Sequence, residues 1–302
     1  TMVSSSAASD VYKRQVFAYW LAGMKLFDAV GHAFSTVAIG GFSTHNNSIA
    51  FWDNPTIEAV AMVFMAIAGI NFALHFSAWR RASAQPYFSD PELKVYAVLL
   101  LSFAVLVSFA LYLTGTYDSL SSSFRYGFFQ VISALTTTGF TTAPFYEWTG
   151  FLPVTLICIA FIGGCAGSTA GGMKVIRIIL LYKQSIREVR RLIHPHAVIP
   201  IKVGGQRTSD TVISAVWGFF FLFIASFAVM TVILTATGLD AESAYSAVGA
   251  CITNLGPALC DAGPNYASLN DPAKVVLSIA MLLGRLEVYT LLVILTPAFW
   301  RD

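Results

Sequence analysis

Three short loops hold the residue types that could do chemistry here, and that chemistry is the coordination of a bare cation by backbone and hydroxyl oxygens. The stretch SALTTTGFTT (133–142) recurs in this chain. Stepping back 98 residues puts Gly139-Phe140 on Gly41-Phe42, inside STVAIGGFST (35–44). Stepping forward 117 puts Gly139 on Gly256, inside ACITNLGPA (250–258). For successive carbonyls to face one axis, a residue must adopt a backbone conformation that a Cβ disfavours, and Gly41, Gly139 and Gly256 supply it. Carbonyls so aligned can replace the hydration shell of an ion. None of the three loops contains a carboxylate, which suits a weakly hydrated monovalent ion better than Ca²⁺ or Mg²⁺.

The elements that position these loops are short. Each loop follows an apolar segment of about a dozen residues, 26–37, 123–135 and 241–252. A bilayer-spanning helix needs roughly 20 residues, so these segments read as re-entrant half-helices. Irregular backbone at membrane depth is tolerated where it lines a watery path or is buried in protein. A half-helix aimed inward also places its partially negative C-terminal end near the bilayer centre, where it favours a cation. Three such loops imply a pore. The alternative is that Gly and Thr here serve close helix packing, as small residues do in membrane proteins.

The bulk composition agrees. The chain has 302 residues, 56% hydrophobic and 11% charged, with a mean hydropathy of +0.69. Soluble domains carry about 25% charged residues, so this is an all-α integral membrane protein. Its four cysteines fit no metal-binding spacing. An intramembrane enzyme would need acid–base pairs at helical spacing facing one cavity; none is present, and the chain is read as non-enzymatic, without a bound cofactor or a nucleic-acid partner.

Taken in order, residues 1–15 form a polar leader, read as disordered or foreign to the protein. A first unit, 16–79, has an incomplete opening helix, the half-helix 26–37, the loop 38–44 and a spanning helix Pro55–Trp79. A second unit, 90–193, runs from a helix at 94–114 through 123–135 and the loop 136–142 to a long helix from 151. A third, 207–302, has a helix at 210–237, the half-helix 241–252, the loop 253–258 and a final helix at 273–299. Basic residues crowd the segments 80–94 and 174–207, whereas acidic ones dominate the opposite side. The positive-inside rule then makes the basic loops and the C-terminus cytoplasmic.

Two features sit inside the apolar helices. The helix from 151 is interrupted at GGCAGSTAGG (163–172), with five glycines in ten residues where a kink needs one or two. The order of a phosphate-binding loop is absent there. Arg285 and Glu287 lie mid-way along the last helix, where charge is costly and usually functional. Being two apart, they should have separate partners. His32, His45 and His75 are not required to converge by their spacing. The basic run 183–191 reads as an orientation signal touching anionic lipid, or as a docking surface.

The segments HAFSTVAIGGFSTHN (32–46), ALTTTGFTT (134–142), GGCAGSTAGGMKV (163–175) and TNLGPAL (253–259) together resemble the Trk/Ktr/HKT superfamily of potassium transporters, in particular its TrkH branch. The resemblance runs from about Tyr19 to the C-terminus. It implies repeated helix–pore-helix–filter-loop–helix units around a central cation pore, three of an expected four, with the present units as the second to fourth. It further implies K⁺ as the transported ion and a K⁺ selectivity filter at Ile39, Gly40, Gly41, Phe42, Thr137, Thr138, Gly139, Phe140, Asn254, Leu255, Gly256 and Pro257. Within that filter the carbonyls of Ile39, Gly40, Thr137, Thr138, Asn254 and Leu255 would hold the ion. An intramembrane gate would comprise Gly163, Gly164, Gly167, Ser168, Thr169, Gly171, Gly172 and Arg285. The resemblance also implies a bacterial inner-membrane location, a homodimer, and a cytosolic ring of nucleotide-binding regulatory subunits like TrkA. The third loop, TNLGPA, departs from the T-x-G-F form. A Na⁺- or H⁺-coupled K⁺ symporter and a non-transporting membrane fragment remain as alternatives.

Overall fold

Polar caps open most of the long helices. Asn54, Asp90, Ser209, Asp240 and Asn270 each turn a side-chain oxygen onto an N–H of the helix that follows, and Pro55, Pro91 and Pro272 occupy the first turns, where a missing N–H costs nothing. The computed structural model describes residues 2–263, 265–286, 289, 293 and 296–300, with side chains from residue 11 except at 297–298. The helices are α1 (Met2–Leu21), α2 (Leu26–Val37), α3 (Pro55–Ala68), α4 (Phe72–Arg81), α5 (Gln85–Ser89), α6 (Pro91–Leu113), α7 (Leu120–Leu135), α8 (Leu152–Ile162), α9 (Val175–Ile193), α10 (Asp210–Ala236), α11 (Ala241–Ile252) and α12 (Asp271–Arg285). A two-stranded hairpin, β1 (Lys202–Val203) with β2 (Gln206–Arg207), turns at Gly204-Gly205, both at positive φ as a tight hairpin requires.

The half-helices stand where expected: α2, α7 and α11. Each packs on the helix before it, α2 on α1, α7 on α6 and α11 on α10. One apolar core joins them, from Tyr19 and Ala33 through Phe129 and Leu156 to Val248 and Leu277. Contact between α6 and α7 is close because Gly127 lies against Ser108; a Cβ there would overlap the serine hydroxyl. By length and composition, α6 (23 residues) and α10 (27 residues) suffice to cross a membrane, at roughly 35 and 40 Å.

Several expectations are corrected. Residues 2–15 are helical, as part of α1, rather than disordered. The span Pro55–Trp79 is not one helix: α3 ends at Ala68, α4 starts at Phe72, and the two are bent by 93°. The break is built, since Asn71 caps α4 through Ala73 N–H at 2.9 Å and the Gly69 carbonyl accepts the N–H of Cys165 at 2.9 Å. The helix from 151, by contrast, is interrupted where expected, with α8 ending at Ile162 and Gly163 following it. Of the expected last helix, 273–299, the part Asp271–Arg285 is helical, and positions 287, 288, 290–292, 294 and 295 lie outside the described residues.

Candidate ion-coordination site

All three half-helices end in the same way. Ile39, Thr137 and Asn254, related by the offsets that align the glycines, take positive φ of 51°, 58° and 60°. Each donates its N–H three residues back, to Thr36, Ala134 and Cys251, at 3.0–3.1 Å. The next residue, Gly40, Thr138 or Leu255, donates five residues back, to Ser35, Ser133 or Ala250, at 2.7–2.8 Å. This is the Schellman cap, whose left-handed position normally belongs to glycine. A β-branched Ile or Thr there costs on the order of 1–3 kcal/mol and persists only where the surroundings impose it. Two residues on, Gly41, Gly139 and Gly256 return to positive φ, at 68°, 82° and 96°.

The loops abut in sequence order. A Cβ on Gly41 would overlap the carbonyl oxygen of Thr138, and one on Gly139 the carbonyl oxygen of Leu255. A Cβ on Gly256 would meet nothing within 4 Å. Phe140 is fully buried and stacks on His32 at 5.8 Å, whereas Phe42 is 81% exposed and Pro257 half-buried. Each half-helix also ties down the outgoing limb of its loop. His32 donates from Nδ1 to the Asp28 carbonyl (2.8 Å) and accepts at Nε2 from the Ser43 hydroxyl (2.9 Å). Gln130 donates to the Ala143 carbonyl (2.9 Å), Ser133 to the Phe140 carbonyl (2.7 Å), and Ser246 accepts the Leu259 N–H (3.2 Å). His32 and His45 both lie edge-on to Trp52, at 4.9 and 5.1 Å, while His75 sits apart on α4, bonded to Tyr87 and the Ile67 carbonyl.

The 163–172 loop runs directly beneath. Thr169 donates its hydroxyl to the Val37 carbonyl at the end of α2 (2.8 Å). The N–H of Gly171 donates to Thr137 Oγ1 (2.7 Å), and that of Gly172 to the Thr253 carbonyl after α11 (3.2 Å). Hydrogen-bond donors of one loop therefore reach the C-terminal ends of all three half-helices, where the helix dipoles favour positive charge. Gly163, Gly167 and Gly172 sit at φ of 70–74°, and a Cβ on Gly163 would strike the Gly171 carbonyl. Gly164 is buried against Ala170, and Ser168 donates to the Cys165 carbonyl at 2.6 Å. From α12, Arg285 Nη1 donates to the Thr169 carbonyl at 3.0 Å. Below lies a cavity of about 360 Å³ lined by Thr169, Lys174, Arg177, Phe223 and Arg285. Lys174 Nζ bonds the Ala170 and Ser168 carbonyls, and the Arg177 guanidinium lies 4.0 Å from the Phe219 ring centre. Glu287 and Arg301 fall outside the described residues.

Sequence reasoning missed several participants. The offsets of 98 and 117 that align the loops also align Gly69 and Gly284, both unremarked there, with Gly167 of the expected gate. Gly69 at the end of α3, Gly167 in the loop after α8 and Gly284 in α12 each meet a neighbour too closely for a side chain: Tyr96, Asn71 and the Ile252 carbonyl respectively. That repeat was present in the sequence. The hydroxyl of Thr137, the ammonium of Lys174 and the carboxylate of Glu92 left no comparable mark.

Known proteins place this architecture. The solved crystal structure of the potassium transporter TrkH from Vibrio parahaemolyticus superposes with a TM-score of 0.92 at 46% identity, over 96% of this chain and 63% of that one. The Trk system potassium uptake protein TrkH of Salmonella typhimurium is 49% identical over 285 residues, and that of Halomonas elongata 50% identical over 284, in each case 94% of this chain. The Trk system potassium uptake protein TrkG of Escherichia coli is 38% identical over 287 residues. The chain spans 59% of the length of these curated relatives. The sequence model of the family described as "TrkH: Cation transport protein" matches residues 9–301. The chain belongs to the TrkH family of cation transport proteins.

Proposed function

We propose that this chain forms three quarters of a potassium-uptake pore, in which the carbonyls of Ile39, Gly40, Thr137, Thr138, Asn254 and Leu255 coordinate K⁺. One observation carries the reading: the left-handed pairs Ile39/Gly41, Thr137/Gly139 and Asn254/Gly256 recur at equivalent places in three abutting loops. Alternation of left- and right-handed residues turns successive carbonyls toward one side, the arrangement an ion needs to shed its water. The open space beside Gly256 and the exposed face of Phe42 mark the two flanks at which a fourth quarter, supplied by the remainder of the full-length protein, closes the ring.

The 163–172 loop and Arg285 act as the gate. In this conformation the loop's N–H groups and the guanidinium occupy the region below the half-helices where a permeating cation would be held, so conduction requires the loop to move. The units 16–79, 90–193 and 207–302 are the pore repeats. The basic loops face the cytoplasm of the inner membrane, and α9 with its arginines presents the surface for a cytosolic nucleotide-binding regulatory ring on a homodimeric pore.

The test is ⁸⁶Rb⁺ uptake by the full-length protein in proteoliposomes, with K⁺ and Na⁺ as competitors. Uptake suppressed by K⁺ at concentrations where Na⁺ has no effect supports the reading. Uptake that neither ion suppresses, or that Na⁺ suppresses equally, overturns it.

A further inference from the structure

Glu92 is 7% exposed and sits in the first turn of α6. An acid at that place ordinarily serves the N–H groups of its own helix. Here that task falls to Asp90, whose Oδ1 accepts from Leu93 N–H at 2.8 Å. Glu92 reaches away instead. Its Oε1 accepts the N–H of Ala166 at 2.7 Å and that of Ile176 at 3.0 Å. These amides flank the blocking segment: Ala166 lies on the incoming limb, and Ile176 in the first turn of α9. The cap position of α9 is filled by Lys174, at φ 76° and with no side-chain cap bond. A single buried oxygen therefore supplies the missing cap of α9 and tethers the loop that contacts Val37, Thr137 and Thr253.

We propose that Glu92 is the positioning residue that couples α9 to the 163–172 loop. It holds the loop in its blocking place while α9 keeps its position. Displacement of α9 from the cytoplasmic side draws Ile176 from the shared oxygen and frees the limb at Ala166. The inference rests on the gate reading above, and it assigns the mechanical link which that reading leaves open. Gln at 92 keeps an acceptor oxygen at the same reach; Ala leaves two N–H groups without a partner. Ile176→Pro removes one of the two donors at a first-turn position that tolerates proline.

The experiment measures ⁸⁶Rb⁺ flux of the full-length protein in the absence of regulatory subunits, for wild type, Glu92→Ala, Glu92→Gln, Ile176→Pro and Arg285→Ala. In parallel, Cys165, 1% exposed and adjacent to Ala166, is labelled with a membrane-permeant maleimide after the exposed Cys158 and Cys260 are changed to Ser. Expected is a rise in unregulated flux of about tenfold or more for Glu92→Ala, the range for losing a hydrogen bond to a charged group. Cys165 becomes labelled in that variant, Ile176→Pro shifts both readouts the same way, and Glu92→Gln stays within a few-fold of wild type. If Arg285→Ala raises flux while Glu92→Ala and Ile176→Pro leave flux and Cys165 protection unchanged, the gate stands and the tether is overturned. If Arg285→Ala changes nothing, the gate reading fails and the tether with it. Should Glu92→Ala not assemble, Ile176→Pro and Glu92→Gln decide the matter by the same two readouts.

Discussion

Thr137 Oγ1 accepts the N–H of Gly171 at 2.7 Å, joining the loop that follows α7 to the 163–172 segment lying below it. Both residues are buried, and Thr137 is one of the three held at positive φ. Replacement by Val keeps the β-branched shape and removes the acceptor. The Gly171 amide is then unpaired, at about 1–3 kcal/mol. Thr137→Val should raise unregulated ⁸⁶Rb⁺ flux; flux equal to wild type would show that the two loops are not coupled through this bond.

Arg285 donates to the Thr169 carbonyl from α12 and places a fixed positive charge below the half-helices. Arg285→Ala removes both the bond and the fixed charge, so on the proposed gating role flux without regulatory subunits should increase. Arg285→Lys restores charge without the planar fork and should fall between the two. Equal flux from all three proteins contradicts the gating role.

On the opposite, acidic side, Arg125 of α7 binds Glu58 of α3 through two nitrogens at 2.7 Å and Asp53 through one of them at 2.7 Å. The Glu58 side chain is 2% exposed, that of Asp53 76%. Removing the arginine leaves a carboxylate buried and unpaired, which costs about 3–5 kcal/mol. Arg125→Ala should therefore lower the thermal unfolding midpoint far more than Asp53→Ala. Equal shifts in a detergent thermal-denaturation assay would mean that the Glu58 contact is unimportant.

Gly127 of α7 has no room for a side chain because Ser108 of α6 fills it, and the Ser108 hydroxyl is buried without a hydrogen-bond partner. Gly127→Ala should destabilise by about 1–3 kcal/mol through overpacking. Ser108→Gly in the same chain should recover most of that loss. A double variant as unstable as the single one would place the strain elsewhere.

How much of this the sequence discloses depends on the range of the interaction. Half-helices α2, α7 and α11 are legible because their length, their small-residue termini and the repeated Gly41, Gly139 and Gly256 are local properties. The left-handed Ile39 and Thr137 are not, since β-branched residues argue against positive φ; the caps and the abutting loops impose it. The 93° break between α3 and α4 is hidden for a similar reason: MAIAGIN carries one glycine, and the bend depends on Asn71 and on Cys165 from a distant loop. Glu92 reads as an ordinary first-turn acid, yet its partners lie 74 and 84 residues away.

Gly139→Ser tests the coordination claim most directly. At φ 82°, with the Leu255 carbonyl where a Cβ would sit, a serine must displace the backbone oxygens assigned to the ion. In proteoliposomes of the full-length protein, K⁺ should outcompete Na⁺ for ⁸⁶Rb⁺ uptake in wild type, and that preference should collapse in Gly139→Ser while uptake itself persists. Retention of the wild-type preference in the variant would mean that the repeated loops are packing elements and that the ion is selected elsewhere.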